Sequence, residues 1–314
     1  MGREPRRGIA GGRPAPPVAG MVALALLAVA CGAPSPSGTG RPLVVASFYP
    51  LYEAAVVVGG PWVRVTNLTP AGVEPHDLEL APPTVATLLS ADVVVYEGGG
   101  FQSAVEAAVR QRRGGAALDV LAGLRGLRPA GGGKGAGGSV DPHVWLDPVL
   151  YREIVSRIAG ALASVDPAHR QAFLRNAAAF RNRIGALDAR YRTGLASCRS
   201  RVLVTAHAAW GYLAARYGLI EEPITGISPE SEPDPRHLAE LAALVHRAHV
   251  TTIFTETLVS PRVAEALARS AGVRTAVLDP LEGLTLAQQQ AGATYLGVMG
   301  QNLEVLRAAL GCGP

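Results

Sequence analysis

The chain has 314 residues, of which 48% are hydrophobic, and a formal net charge of +4 at pH 7. That length allows two domains that each bury a core. The excess of positive charge lies before residue 31, and no basic stripe interleaved with aromatic residues follows, so a nucleic-acid partner is not expected.

Residues 1–30 have the organisation of an export signal. A segment with four arginines (Arg3, Arg6, Arg7 and Arg13) leads into the apolar run Met21–Ala30. This run is much shorter than the roughly 20 residues that span a bilayer, so it predicts a cleaved signal peptide and not a transmembrane helix.

Small residues precede Cys31, as in bacterial lipoprotein signals, although Ala28 occupies the position where a bulky leucine is usual. We expect Cys31 to be acylated and residues 31–41 to form a tether. The alternative is a secretory peptide with an unmodified cysteine. The protein is therefore expected at the outer face of the cytoplasmic membrane as a lipoprotein, or in the periplasm.

The sequence after the tether alternates between β-rich apolar runs and segments of helical periodicity. This alternation is typical of parallel sheets covered on both faces and predicts the α/β class. The predicted strands are Leu43–Phe48, Trp62–Leu68, Asp92–Tyr96, Arg201–Thr205, Thr251–Phe254 and Arg274–Leu278, and predicted helices include Pro235–His249 and Ser260–Ala271.

The middle of the chain interrupts the alternation with two helical segments. Asp166 and Pro167 have the N-cap and first-turn character that opens a helix, and apolar residues then recur at steps of four and three up to Tyr191. The pattern predicts one helix of about 28 residues, roughly 40 Å long. We expect residues 166–197 to connect an N-terminal lobe, residues 42–165, to a C-terminal lobe, residues 198–314.

A glycine-rich segment covers residues 129–139. It lacks the pattern of a phosphate-binding loop, because Lys134 is followed by Gly135 and not by Ser or Thr. A mobile surface loop is the expected structure.

Three of the seven histidines lie in predicted loops beside short distinctive sequences, namely His76, His143 and His207, and acidic residues flank the first two. Histidines that neighbouring carboxylates can orient are typical of metal ligands, and the candidate orienting carboxylates are Glu79, Asp147 and Glu256. The other four, His169, His237, His246 and His249, lie in predicted helices among charged residues, where solvated positions are expected. His246 and His249 could share a helix face, but nothing supplies further ligands there.

Topology suggests a fourth ligand, because the carboxyl ends of parallel strands meet at one edge of a sheet. His207 follows the strand Arg201–Thr205, and Asp279 follows the strand Arg274–Leu278. With His76 and His143 from the first lobe, the ion is expected between the two lobes.

Five segments in this order resemble the signature segments of zinc- and manganese-binding substrate-binding proteins of ABC importers. They are Glu74–Glu79, Asp141–Pro148, His207–Gly218, Gly226–Pro233 and Leu278–Leu281. The resemblance implies two (β/α) lobes joined by one long helix, with metal ligands at His76, His143, His207 and Asp279. It also implies delivery of the metal to a permease with its ATPase partner.

Within that family, a histidine at the third ligand position is associated with zinc, and His207 occupies it here. A manganese-binding homologue and a surface adhesin are the alternatives. No histidine lies between His76 and His143, so the histidine-rich loop of many zinc members is missing. A zinc hydrolase, with Glu256 as general base, is disfavoured because four protein ligands leave little room for catalysis. We expect a non-enzymatic monomer with Zn²⁺ as cargo.

The remaining cysteines are Cys198, before the first strand of the second lobe, and Cys312, near the end of the chain. In an oxidising compartment they are expected to form a disulfide that fixes the C-terminus. Two buried free thiols are the alternative.

Overall fold

The computed structural model describes residues 40–130 and 140–313. The predicted signal peptide (1–30), Cys31 and most of the tether lie outside these ranges, as does segment 131–139. Over the ranges that are described, no helix combines the length and apolar character needed to cross a bilayer.

The first lobe contains a sheet of four parallel strands in the order β2-β1-β3-β4. The valines of β3 are fully buried, as expected for a strand covered on both faces. Its strands are β1 (Leu43–Ala46), β2 (Arg64–Asn67), β3 (Val93–Tyr96) and β4 (Ala116–Asp119), and its helices are α1 (Tyr49–Gly59), α2 (Pro82–Ser90), α3 (Ser103–Arg110) and α4 (Pro148–Val165).

The second lobe repeats this topology, with four parallel strands in the order β6-β5-β7-β8. Its strands are β5 (Val202–Thr205), β6 (Ile220–Pro223), β7 (Thr252–Thr255) and β8 (Arg274–Val277). Its helices are α6 (Gly211–Tyr217), α7 (Pro235–Arg247), α8 (Arg262–Ala271), α9 (Leu286–Gln290) and α10 (Tyr295–Leu310). The α/β class predicted from the sequence is confirmed.

Between the lobes runs α5 (Arg170–Gly194), a helix of 25 residues. It begins later than Asp166 because Pro167–His169 form a short 3₁₀ helix, which the Asp166 side chain caps by accepting from the His169 N–H. The predicted apolar stripe is buried, from Phe173 to Tyr191. Through this stripe α5 packs against α1 and α4, which precede it in the sequence, and against α10, which follows it.

One hydrophobic core contains residues of both lobes, including Phe48 from the first and Phe254 from the second. Trp145 links the lobes within this core, since its Nε1–H donates to the Pro280 carbonyl at 2.7 Å and its own carbonyl accepts from Tyr295 Oη at 2.6 Å. The lobes are therefore packed together as well as connected by α5.

Cys198 and Cys312 form a disulfide, as predicted. The two residues also pair as an isolated antiparallel bridge, which places the C-terminal segment beside the entry to β5. The bridge fixes the end of α10 to the start of the second lobe.

Candidate metal centre

Four buried or nearly buried side chains converge between the lobes: His76, His143, His207 and Glu282. One ligand atom from each lies within 4.8 Å of the others. Glu282 Oε1 is 3.3 Å from His76 Nε2, 3.0 Å from His143 Nε2 and 3.1 Å from His207 Nε2, and the last two nitrogens are 3.2 Å apart.

These separations suit a small tetrahedral cation. Zinc binds imidazole nitrogen at about 2.0–2.1 Å, and the ligands at the corners of such a tetrahedron are about 3.3–3.4 Å apart. The four measured separations, 3.0–3.3 Å, are close to that spacing. All of the ligand atoms lie within 4.8 Å of one another, so the cluster is compact enough to surround one cation.

Each lobe supplies two members of the cluster. His76 lies in the loop between β2 and α2, and His143 lies before the short 3₁₀ helix Val144–Leu146 that leads into α4. His207 follows β5, and Glu282 lies in the loop after β8. These side chains therefore meet at the carboxyl edges of the two sheets, as expected from the topology.

The structure does not bring Asp279 into this cluster, in contrast to the prediction that it is the fourth ligand. Its carboxylate instead accepts from Leu281 N at 2.8 Å, Thr257 Oγ1 at 3.2 Å and Gln288 Nε2 at 2.6 Å. These bonds hold the loop after β8. The fourth member of the cluster is Glu282, three residues later in the sequence.

The backbone of that loop explains how Glu282 reaches the centre. Leu281 has a φ of 57°, in the left-handed region that non-glycine residues rarely adopt. The Asp279 carboxylate holds Leu281 by its N–H, and Asn302 accepts from Asp279 N and donates to Asp279 O. The turn at Leu281 directs the longer glutamate side chain inward, at a cost of about 1–3 kcal/mol that the surrounding bonds offset.

Carboxylates behind the cluster orient two of the imidazoles. His143 Nδ1 is 2.8 Å from Asp141 Oδ1, and His207 Nδ1 is 2.6 Å from Glu256 Oε2. Each Nδ1–H donates to its carboxylate, which fixes the ring and leaves Nε2 facing the centre. Glu256 thus occupies the orienting position proposed from the sequence.

The other two candidate orienting carboxylates lie elsewhere. Asp147 caps α4 by accepting from Val149 N and Leu150 N, and it pairs with Arg216. Glu79 is exposed. Asp141, six residues before Asp147, contacts His143 instead, and Glu74 accepts from His76 N at 3.0 and 2.9 Å and thereby shapes the His76 loop.

Three carboxylates, Glu282, Asp141 and Glu256, act on the pKa values of the cluster. Burial lowers the pKa of His143 and His207, but hydrogen bonds and charges from Glu282, Asp141 and Glu256 outweigh burial, so both pKa values are raised. Burial raises the pKa of Glu282, yet the imidazoles facing it hold its pKa well below the usual range. Protons on the imidazoles therefore compete with a metal for the centre.

A cavity of about 290 Å³ leads to His76 from the surface. Its walls include Phe101 and Pro142 from the first lobe and Ile227 and Ser228 from the second.

The other histidines lie apart from the centre, and across the residues the structure describes only one cluster has a metal-binding arrangement.

Comparison with known proteins agrees with this geometry. Residues 44–309 match the family described as "ZnuA: Zinc-uptake complex component A periplasmic". The chain belongs to this family.

Two curated family members illustrate the relationship. The zinc-binding lipoprotein AdcA of Streptococcus pneumoniae is 36% identical over 293 residues, which cover 90% of this chain and 58% of AdcA. The chain thus spans little more than half of that relative. The high-affinity zinc uptake system protein ZnuA of Bacillus subtilis is 34% identical over 301 residues, covering 91% of this chain and 94% of ZnuA.

Solved structures of family members share the fold. The Zn(II)-bound ZnuA-like domain of AdcA has a TM-score of 0.74 and 35% identity, and the match covers 86% of this chain and 99% of the domain. The laminin-binding protein Lmb of Streptococcus agalactiae, described as bifunctional with adhesin and metal transporting activity, has a TM-score of 0.77 and 34% identity, with 86% and 100% covered.

Proposed function

We propose that this protein captures Zn²⁺ outside the cytoplasm and delivers it to an ABC importer. The observation that carries the proposal is the buried cluster of three imidazole nitrogens and one carboxylate between the lobes. We assign His76, His143, His207 and Glu282 as the zinc ligands, with Asp141 and Glu256 as the carboxylates that orient His143 and His207.

The ligand chemistry supports zinc over manganese. Three imidazoles and one carboxylate make a nitrogen-rich site, and a set of four donors matches tetrahedral zinc. Manganese favours oxygen ligands and higher coordination, which this centre supplies less well.

The same ligand set argues against a hydrolase. A catalytic zinc site keeps a coordination position for water, whereas four protein ligands complete the tetrahedron here. Glu256, the candidate general base, is bound to His207 Nδ1 at 2.6 Å and is better suited to orienting the ring.

The partners follow from the transport role. We propose a permease and its ATPase as the receiving complex, with the protein acting as a monomer held at the outer face of the membrane through an acylated Cys31. The lipoprotein name of AdcA and the zinc-uptake name of ZnuA support this placement. Intact-mass measurement of the native protein tests the acylation, and an unmodified cleaved N-terminus contradicts it.

Metal competition titration tests the zinc site. Wild type should bind zinc more tightly than manganese. Loss of a residue that only orients a ligand weakens metal binding by up to roughly 100-fold, and Glu282→Gln or His207→Ala should weaken zinc binding by more than that because each removes a ligand. His207→Glu should narrow the gap between the two metals because it adds an oxygen donor. His246→Ala, an exposed histidine on α7, is the matched control and should bind as wild type does.

Equal affinity of the wild type for manganese and zinc would contradict the metal assignment. Unchanged zinc affinity in Glu282→Gln would contradict the ligand assignment. Zinc-limited growth of a strain lacking the gene, complemented by wild type but not by Glu282→Gln, tests the transport role separately.

Adhesion is a second candidate function, favoured by the similarity to Lmb. A binding assay of the mature protein on immobilised laminin, with His246→Ala and Glu282→Gln in parallel, measures it. Binding no stronger than to albumin would exclude laminin as a partner.

A further inference from the structure

A cavity of about 480 Å³ on the first lobe is lined by four arginines. It lies between the first turns of α4, the middle of α5 and the loop after β4, away from the metal centre. The arginines are Arg125, Arg152, Arg157 and Arg181, and Glu153 is the one acidic residue in the lining.

The charges in this cavity are unbalanced. Glu153 pairs with Arg157 at 3.3 Å, and Arg157 also donates to the carbonyl oxygens of Ala122 and Gly123 at 2.6 and 3.0 Å. Among the residues described, Arg125, Arg152 and Arg181 have no carboxylate within 4.0 Å and form no side-chain hydrogen bond. Three guanidinium groups thus have no protein acceptor within the described part of the chain.

Two of these groups are partly enclosed by the fold. The Nε atoms of Arg152 and Arg181 are buried without a hydrogen-bond partner. The Arg152 guanidinium carbon lies 3.8 Å from the position that a Cβ on Gly185 would occupy, so this side chain lies against the middle of α5. Buried donors cost free energy unless an acceptor reaches them. Both side chains line the cavity, where their guanidinium groups can meet an acceptor.

We propose that this cavity binds a phosphate-class oxyanion. Guanidinium groups present their N–H donors in a planar fork that matches the oxygens of phosphate. Val149 and Leu150, in the first turn of α4, also line the cavity, but their N–H groups already donate to the Asp147 carboxylate, so the arginines supply the donors. Arg152 and Arg181 are the principal donors, and the exposed Arg125 adds a third positive charge to the lining.

The phosphate group has two sources at a membrane surface: the free ion and the headgroup of an anionic lipid. A tether of about ten residues reaches at most about 35 Å, so a protein anchored at Cys31 stays close to the headgroups. The arginines would bind the phosphate oxygens in the same way from either source. The experiment therefore tests the free ion and the lipid headgroup separately.

The test uses the zinc-loaded mature chain with Cys31→Ala, titrated with inorganic phosphate against chloride at matched ionic strength. Wild type should bind phosphate, and Arg152→Gln and Arg181→Gln should each weaken that binding at least tenfold. Arg175→Gln removes the same charge from an exposed position on α5 and should leave it unchanged. Unchanged zinc affinity and circular dichroism verify that each variant is folded.

The second arm measures sedimentation with phosphatidylglycerol vesicles and with phosphatidylcholine vesicles. Binding to the anionic vesicles that falls in Arg152→Gln and Arg181→Gln but not in Arg175→Gln identifies the lipid headgroup as the source. Phosphate binding without vesicle binding identifies the free ion. If wild type binds neither phosphate nor anionic vesicles, or if Arg175→Gln matches the other two variants in both arms, the proposal fails.

Discussion

At the residue scale, the centre depends on atoms that never touch the metal. Asp141 and Glu256 accept from the Nδ1 atoms of His143 and His207 and so present the Nε2 atoms inward. We expect Asp141→Asn and Glu256→Gln each to lower zinc affinity about 10–100-fold, as is usual for loss of an orienting carboxylate. Competition titration with a zinc chelator measures this.

Two matched controls are available for these variants. Asp147→Asn changes the same residue type nearby, and asparagine keeps the α4 cap because it caps as well as aspartate. Glu79→Gln changes an exposed carboxylate. If Asp147→Asn weakens zinc binding as much as Asp141→Asn does, the role assigned to Asp141 is wrong.

The sequence indicated His76 and His143 because each stands in a loop beside acidic residues, and His207 because it follows a predicted strand. It did not indicate Glu282, because topology favours the first polar residue after a strand and that residue is Asp279. The turn at Leu281, with its φ of 57°, is a local conformation that no residue preference predicts for leucine. Asp141 was missed for a similar reason, since two aspartates flank His143 and only the fold decides which one reaches Nδ1.

The raised pKa values of His143 and His207 predict a strong pH dependence of zinc binding. A raised pKa means that each ring keeps its proton above the ordinary value of about 6.5, and each proton must leave when zinc binds. Apparent zinc affinity should therefore rise with pH through the neutral range, with release of up to about two protons per ion. Calorimetry in buffers of different ionisation enthalpy counts these protons.

Glu282→Gln provides a check on the cause of this pH dependence. It removes one of the charges that raise the two imidazole pKa values, so fewer protons should be released per zinc at the same pH, while Asp141 and Glu256 remain. Zinc affinity that stays constant between about pH 6 and 8 would contradict the prediction.

At the element scale, six of the eight strands were predicted from the sequence, and two edge strands, β4 and β6, were not. β1, β3, β5 and β7 are central and consist of apolar runs, and β2 and β8 are edge strands that still contain valine and threonine. β4 and β6 lie at sheet edges with the sequences Ala-Ala-Leu-Asp and Ile-Glu-Glu-Pro. Alanine, glutamate and proline are poor strand formers, so only pairing to a neighbour defines these two elements.

The disulfide is expected to raise the free energy of unfolding and to leave zinc binding unchanged. It joins residues 114 apart, and closing a loop of that length stabilises by roughly 4–5 kcal/mol on the chain-entropy model. Cys198 precedes β5 whereas His207 follows it, so the bridge and the metal centre lie at opposite ends of that strand. A Cys198→Ala, Cys312→Ala variant should lose about 2–5 kcal/mol of unfolding free energy and keep its zinc affinity.

Denaturant unfolding of the zinc-free protein measures that loss. The single variant Cys31→Ala serves as the control, because it removes a cysteine outside the bridge. Thiol titration of the denatured, unreduced mature protein should find no free cysteine, and two reactive thiols would contradict the disulfide in solution.

At the scale of the whole molecule, several hydrogen bonds hold the lobes together besides α5. Tyr295 N donates to Glu53 at 2.6 Å, Tyr49 Oη donates to the Ala293 carbonyl at 3.0 Å, and Arg128 N donates to Tyr212 Oη at 2.9 Å. The Trp145 bond to Pro280 adds to these links. A hinge motion would break hydrogen bonds of which two, from Tyr295 N and Trp145 Nε1, are buried.

We therefore predict that zinc release involves movement of loops and little movement of lobes. Zinc binding should change the backbone of the interface by about 1 Å or less, and the radius of gyration in X-ray scattering should not change measurably. Hydrogen exchange should slow in the loops that carry the four ligands and stay the same in α5, because only those loops gain a bond to the ion. Trp145→Phe, which removes the donor to Pro280 but keeps an aromatic ring in the core, should speed exchange in the Glu282 loop even with zinc bound. A scattering profile that becomes clearly more compact on zinc addition would show instead that the lobes close on the metal.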